Sequence, residues 1–103
     1  LNAVIVETTN YYAKPGLAPD VLDTRRRVCA HRVTMGLDAG RVFVRLGDKG
    51  PDIRWECAFA SRADLDADLA ARDASPEFVK LRTEMGTLLE RFERHVFAED
   101  EGG

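Results

Sequence analysis

The sequence predicts an α+β domain in which one four-stranded antiparallel sheet carries its helices on a single face. Three observations carry this. Runs rich in β-branched and aromatic residues and runs of helical period follow one another as strand, helix, strand, strand, helix, helix, strand (β-α-β-β-α-α-β). The stretch Ile53-Arg54-Trp55-Glu56-Cys57-Ala58-Phe59 places Ile53, Trp55, Cys57 and Phe59 on one side of a strand. Two stretches near the end, Ser61-Arg62-Ala63-Asp64 and Ser75-Pro76-Glu77-Phe78, carry N-cap chemistry and mark two successive helix starts. A chain of 103 residues is one domain by length. It is expected over residues 1–97, with the acidic tail 98–103 expected to be disordered.

The first strand spans Ala3 to Tyr12. Its period puts Val4, Val6, Thr8, Asn10 and Tyr12 on one face and Ile5, Glu7, Thr9 and Tyr11 on the other, with neither face wholly polar. Lys14-Pro15-Gly16 ends it. Pro19 starts the first helix, and Asp20 in its first turn suits the helix dipole. Val21, Leu22, Val28, Cys29, Val33 and Met35 form its apolar stripe, and Gly36 stops it in the left-handed conformation. Arg25-Arg26-Arg27 fan across about 200° of helix, which predicts solvated heads with stems along the apolar edge.

The second strand is read over Arg41–Leu46, the turn over Gly47–Asp52, and the third strand over Ile53–Phe59, together a hairpin. The second helix begins at Ser61 and runs to about Arg72, with Leu65 and Leu69 inward. The third begins at Ser75, and its period takes in Phe78, Leu81, Met85, Leu88 and Phe92. Gly86 within it predicts close approach of another backbone. The last strand is read over Arg94–Phe97.

Bulk properties narrow the function. The net charge of -3, with acids and bases interspersed, argues against a nucleic-acid binder. No apolar run approaches the ~20 residues of a membrane span. The N-terminal Leu1-Asn2-Ala3-Val4-Ile5-Val6 lacks a basic flank and reads as a strand rather than a signal peptide. Cys29 and Cys57 are too few for a disulfide framework and are read as reduced core residues of a cytoplasmic protein. No metal site is expected: Cys29 and His31 diverge on their helix, and Asp64-x-Asp66-x-Asp68 lacks the Gly and Glu that a calcium loop requires.

Helices on one face leave the other uncovered. That face carries Phe43 or Val44, Ile5 or Val6 and several charges, according to which parity points inward. An open face of this kind predicts a two-fold homodimer packed sheet on sheet.

Several motifs resemble one family. They are Glu7, Tyr11 and Lys14-Pro15-Gly16 at the end of strand one, Phe59-Ala60-Ser61-Arg62-Ala63-Asp64-Leu65 at a strand-to-helix turn, and Ala74-Ser75-Pro76-Glu77-Phe78 before the last helix. In order and spacing, over about residues 3–97, these resemble the dimeric α+β barrel superfamily and its NIPSNAP-type branch. The resemblance implies a ferredoxin-like protomer that dimerises through its sheet, with a cavity between sheet and helices. Activities across that superfamily are diverse, so the fold alone says little of function. Thr9 stands where the branch tends to carry an Arg. The superfamily's haem degraders use an Asn, a Trp and a His that this chain lacks at the matching positions, and no cofactor is expected.

The candidate site residues are Glu7, Tyr11, Tyr12, Trp55 and His95. Glu7 and Tyr11 share a strand face and can line one cavity. A last strand commonly pairs beside the first, so His95 beside a buried Glu7 would supply a general base, and these two are the candidate catalytic residues. The competing reading pairs Glu7 with Arg45, Arg54 or Arg94. Tyr11, Tyr12 and Trp55 are the candidate pocket residues, with Trp55 also a core anchor. The expected role is binding of a small apolar or aromatic molecule, or service as an interaction module. The alternative is a cofactor-independent monooxygenase or cyclase acting on a small aromatic or polyketide-like substrate.

Overall fold

In the computed structural model, which describes residues 3–102, the elements are β1 (Ile5–Ala13), α1 (Ala18–Thr34), β2 (Arg41–Val44), β3 (Ile53–Phe59), α2 (Arg62–Asp73), α3 (Pro76–Thr87) and β4 (Leu89–Ala98). Their order is the expected one. The strands lie in the order β2-β3-β1-β4, each antiparallel to its neighbours, which is the split βαβ arrangement of a ferredoxin-like fold.

The registers settle which parity faces the helices. Glu7, Thr9 and Tyr11 stand beside Cys57, Trp55 and Ile53 on one side and beside Val96, Arg94 and Phe92 on the other. These rows meet Val21 of α1, Leu65 of α2 and Met85 of α3 in one core. A second small cluster, Val28, Phe78 and Leu81, holds α1 against α3. The helix-free face consequently carries Val6, Thr8, Asn10 and Tyr12, flanked by Glu56 and Arg54 of β3 and by Arg91, Glu93, His95 and Phe97 of β4. Phe43 lies opposite Arg54 on that face, and Val44 opposite Ile53 on the helix side.

The helix ends follow local chemistry. Ser61 and Ser75 each accept a backbone N–H three residues on, from Asp64 at 3.2 Å and from Phe78 at 3.1 Å. Gly36 has φ +79°. The Leu37 N–H donates to the Arg32 carbonyl and the Gly36 N–H to the Val33 carbonyl, which closes α1 in a Schellman motif.

Three expectations are corrected. The third helix ends at Thr87, and Phe92 is a strand residue opposite Tyr11. The ladder to β1 takes a segment whose apolar spacing also suits a helix, so β4 begins five residues earlier than read. Gly86 meets no atom within 4 Å of where a Cβ would stand, so no backbone approaches it there. On α1 the buried face is Val21, Thr24, Arg25, Val28 and Arg32, while Val33 is 59% exposed. Of the arginine triplet, Arg26 is exposed and Arg27 pairs with Glu84, whereas Arg25 is 5% exposed. Its spacing of four from Val21 puts it on the inward face, and its charge does not alter that geometry.

Gly40 is where close approach does operate. It has φ +74°, and a Cβ there would meet Trp55 Nε1 and lie 2.7 Å from Trp55 Cε2 and 2.8 Å from the Glu56 carbonyl oxygen. Gly36 shares the positive φ but has open space around it. Gly36→Ala should cost about 1 kcal/mol, the left-handed penalty alone, and Gly40→Ala should cost clearly more. Denaturant unfolding of both variants checks this, and equal losses would show that the Gly40 contact is unimportant.

Candidate functional site

A cavity of about 320 Å³ lies between the helix side of the sheet and the helices. Its sheet wall is Glu7, Thr9 and Tyr11 of β1, Trp55 of β3, and Leu89, Phe92 and Arg94 of β4. Its helical wall includes Arg25 and Val28 of α1, Leu69 and Arg72 of α2, and Phe78, Met85 and Gly86 of α3. The rim is marked by exposed lining residues: Phe92 is 61% exposed, and Asp73 and Arg82 pair there at 3.0 Å with side chains 73% and 53% exposed.

Trp55 is 2% exposed and lines the cavity. Its indole N–H donates to the Ala39 carbonyl at 3.0 Å. Three guanidinium groups gather over its ring, Arg25 at 4.3 Å, Arg32 at 5.0 Å and Arg72 at 5.5 Å from the centroid. Each is drawn by the ring quadrupole. Two buried carboxylates tie most of this charge together. Arg72 donates to Glu7 through both terminal nitrogens, at 2.9 and 2.6 Å, and through Nε to Asp68 at 2.6 Å. Arg32 holds Asp68 in a second fork at 2.9 and 2.8 Å and donates from Nε to the Asp38 carbonyl. Arg94 adds a bond to Glu7 at 2.7 Å. The outcome is a continuous ionic ladder from β4 through β1 and α2 to α1.

The ladder fixes protonation. Burial pushes the Glu7 carboxyl up, but the hydrogen bonds and charges of Arg72 and Arg94 outweigh it and leave Glu7 below the ordinary carboxylate range. Asp68 follows the same pattern, raised by burial and lowered further by Arg32 and Arg72. The Cys57 thiol, 3% exposed, is pushed up by burial, and the Arg32 charge offsets only part of that. The thiol form is therefore favoured over the nucleophilic thiolate.

The cavity thus brings together three of the five candidate residues, Glu7, Tyr11 and Trp55. It does not bring in Tyr12 or His95. His95 lies opposite Thr8 on the helix-free face, where it is exposed, so it does not stand beside Glu7. The neighbour of Glu7 on β4 is Val96, because alternation turns successive side chains to opposite faces. Tyr12 donates to Glu93 at 2.7 Å, under the Arg91 guanidinium, also on the helix-free face. Of the arginines weighed as partners for Glu7, Arg94 is one. Arg54 pairs with Glu56 and Arg45 with Asp52. The residues missed are Arg72, Arg25, Arg32 and Asp68. The signal for them is helical spacing: Asp68 and Arg72 are four apart, and Arg25 and Arg32 fall in step with Val21 and Val28.

Comparison with known proteins places the fold. Neither family models nor curated proteins match the sequence. Among solved structures, a NIPSNAP family protein from Agrobacterium tumefaciens superposes with a TM-score of 0.75 at 17% identity, covering 100% of this chain and 91% of that one. A dimeric protein of unknown function and ferredoxin-like fold from Bacteroides fragilis gives 0.71 at 10% identity over 93% and 96% of the two chains. An antibiotic biosynthesis monooxygenase gives 0.67 at 21% identity over 97% and 99%. The chain therefore has the ferredoxin-like α+β fold seen in NIPSNAP family proteins and in dimeric proteins. No helix among the described residues is long and apolar enough to cross a membrane.

Linkage to pH follows from the ladder. Both carboxyls are depressed in the folded state, so their contribution is fully present above their ordinary values of 4.5 for Glu7 and 3.8 for Asp68. It is lost as pH falls through the folded values beneath them. Glu7→Gln should cost about 3–5 kcal/mol at pH 7, because it strands buried guanidinium charge. It should also flatten the fall in stability below about pH 4.5. Urea unfolding of wild type and variant between pH 3 and pH 7 provides the comparison, and parallel acid limbs would refute the ladder's role.

Proposed function

We propose that the protein is a homodimer, joined through the helix-free faces of its sheets, that binds a small apolar or aromatic molecule in the cavity between sheet and helices. The observation that carries the binding reading is the cavity, with Trp55, Tyr11, Phe78, Met85 and Leu89 supplying apolar surface and a few charged groups converging at one wall. Its volume lies near the lower end of the range for small-molecule sites, about 300–1,000 Å³. Glu7, Tyr11 and Trp55 are the pocket residues in this reading. Tyr12 and His95 belong to the dimer side.

Support for the dimer comes from the helix-free face. Phe97 and Phe43 are 54% and 38% exposed on it. A second sheet laid over this face would cover both rings. The Bacteroides fragilis protein of like fold is itself described as dimeric. The alternative, a cofactor-independent monooxygenase or cyclase, has less support. Its two candidate groups stand on opposite faces of the sheet, and Glu7 is held as a carboxylate by two arginines.

Light scattering should give about twice the protomer mass of 11.5 kDa. Phe97→Asp should halve it while leaving the circular dichroism spectrum intact, and an unchanged mass would argue against this interface. For the cavity, Gly86 offers the cleanest probe, since it lines the mouth with open space around it. Gly86→Phe should fold and should lower affinity for any cavity ligand at least tenfold. Native mass spectrometry of protein purified from its own host, with and without the substitution, reads this directly. A small molecule retained equally by both forms would sit elsewhere.

A further inference from the structure

The charge on the cavity wall does not balance. The ionisable residues lining it are Arg25, Arg72, Arg82 and Arg94 against Glu7 and Asp73. Adding the neighbouring pair Arg32 and Asp68 leaves the excess at two positive charges. Arg72 and Arg94 share Glu7, and Arg82 has Asp73. Arg25 alone among them has no carboxylate partner. It is 5% exposed, its guanidinium lies against Trp55, and one terminal nitrogen, Nη1, donates to the Tyr11 hydroxyl at 3.0 Å. The other two nitrogens, Nε and Nη2, are buried with no partner among the described residues.

Those two nitrogens share one edge of the guanidinium plane. That edge matches the two oxygens of a carboxylate in a bidentate pair. The adjacent surface, Trp55, Val28, Phe78, Met85 and Leu89, is apolar. We propose that the cavity takes a small aromatic or apolar monocarboxylate, its carboxylate received by the guanidinium of Arg25, the lining cation with no carboxylate of its own, and its apolar body lying against Trp55 and the α3 side chains. This rests on reading the cavity as a ligand site and names the chemistry of what enters it.

The chain has a single Trp, at the cavity wall, so its fluorescence reports occupancy. The probes are benzoate, phenylacetate, cinnamate and naphthoate, each against its carboxamide, with phenyl phosphate as a second anion. The expected result is that at least one acid binds ten or more times tighter than its amide, and tighter than phenyl phosphate. Arg25→Gln should then erase the difference between acid and amide while amide binding persists. Equal binding of acids and amides by the wild-type protein would overturn the carboxylate assignment and leave the apolar cavity reading standing. Tighter binding of phenyl phosphate would overturn it in favour of a phosphate ligand. Binding of no probe, acid or amide, would remove this inference and the cavity reading together. The wild-type comparison of acid with amide decides the matter even should Arg25→Gln fail to fold.

Discussion

Glu7, the third residue of β1, is 1% exposed and accepts hydrogen bonds from one arginine of α2 and one of β4. From that carboxylate the ladder continues through Arg72 to Asp68 and on to Arg32 in α1. A domain of this size has few apolar side chains to spare, and the space between α1, α2 and the sheet is closed by this ladder as well as by Val21 and Leu65. Such a network gives little net stability over an apolar core of equal volume, yet removing one member strands the others at about 3–5 kcal/mol. Its effect is on geometry. Forked guanidinium–carboxylate pairs have a defined distance and plane, so the ladder sets how α1 and α2 sit over β1.

One strand serves both faces of the molecule. Glu7, Thr9 and Tyr11 point to the ladder and the cavity, while Thr8, Asn10 and Tyr12 point to the helix-free face. A slip of one residue in the pairing of β1 would exchange these sets. It would send a buried carboxylate to the open face and bring Thr8 and Asn10 under the helices. The ladder therefore also fixes register. Asp52 reinforces it at the far end, where its N–H donates to the Tyr11 carbonyl and its carboxylate accepts from the Ala13 N–H.

The parts of this arrangement that rest on periodicity and capping were legible in the sequence. Ser61, Ser75 and Gly36 mark helix ends, and the alternation from Ile53 to Phe59 marks the central strand. The sheet side of the cavity was partly legible too, since Glu7 and Tyr11 share a parity and Trp55 belongs to the apolar row of β3. What was hidden is the helical half. Arg25, Arg32, Asp68 and Arg72 are residue types that ordinarily face solvent, and a stripe drawn from apolar residues passes over them. Only the pairing of Arg32, Asp68 and Arg72 with one another and with Glu7 makes their burial tolerable, and that pairing is tertiary. The end of α3 was hidden for a related reason. Phe92 continues an apolar helical spacing from Phe78, and only its place opposite Tyr11 settles it as strand.

The same charges explain why the cavity exists at all. Apolar walls facing one another across a small gap close it when they can, since a dry void forfeits dispersion contacts. Here one wall carries the guanidinium groups of Arg25 and Arg72 over Trp55, Arg72 held by Glu7 and Asp68 and Arg25 by the Tyr11 hydroxyl. Phe78, Met85 and Leu89 cannot collapse onto that wall without burying it further, at a rising desolvation cost. The wall in turn cannot swing outward without breaking the forks of Arg72 and Arg32. The space between is left with one polar side and one apolar side. In the proposed reading that polarity would orient a ligand, with its charged end toward Arg25 and its apolar body along α3.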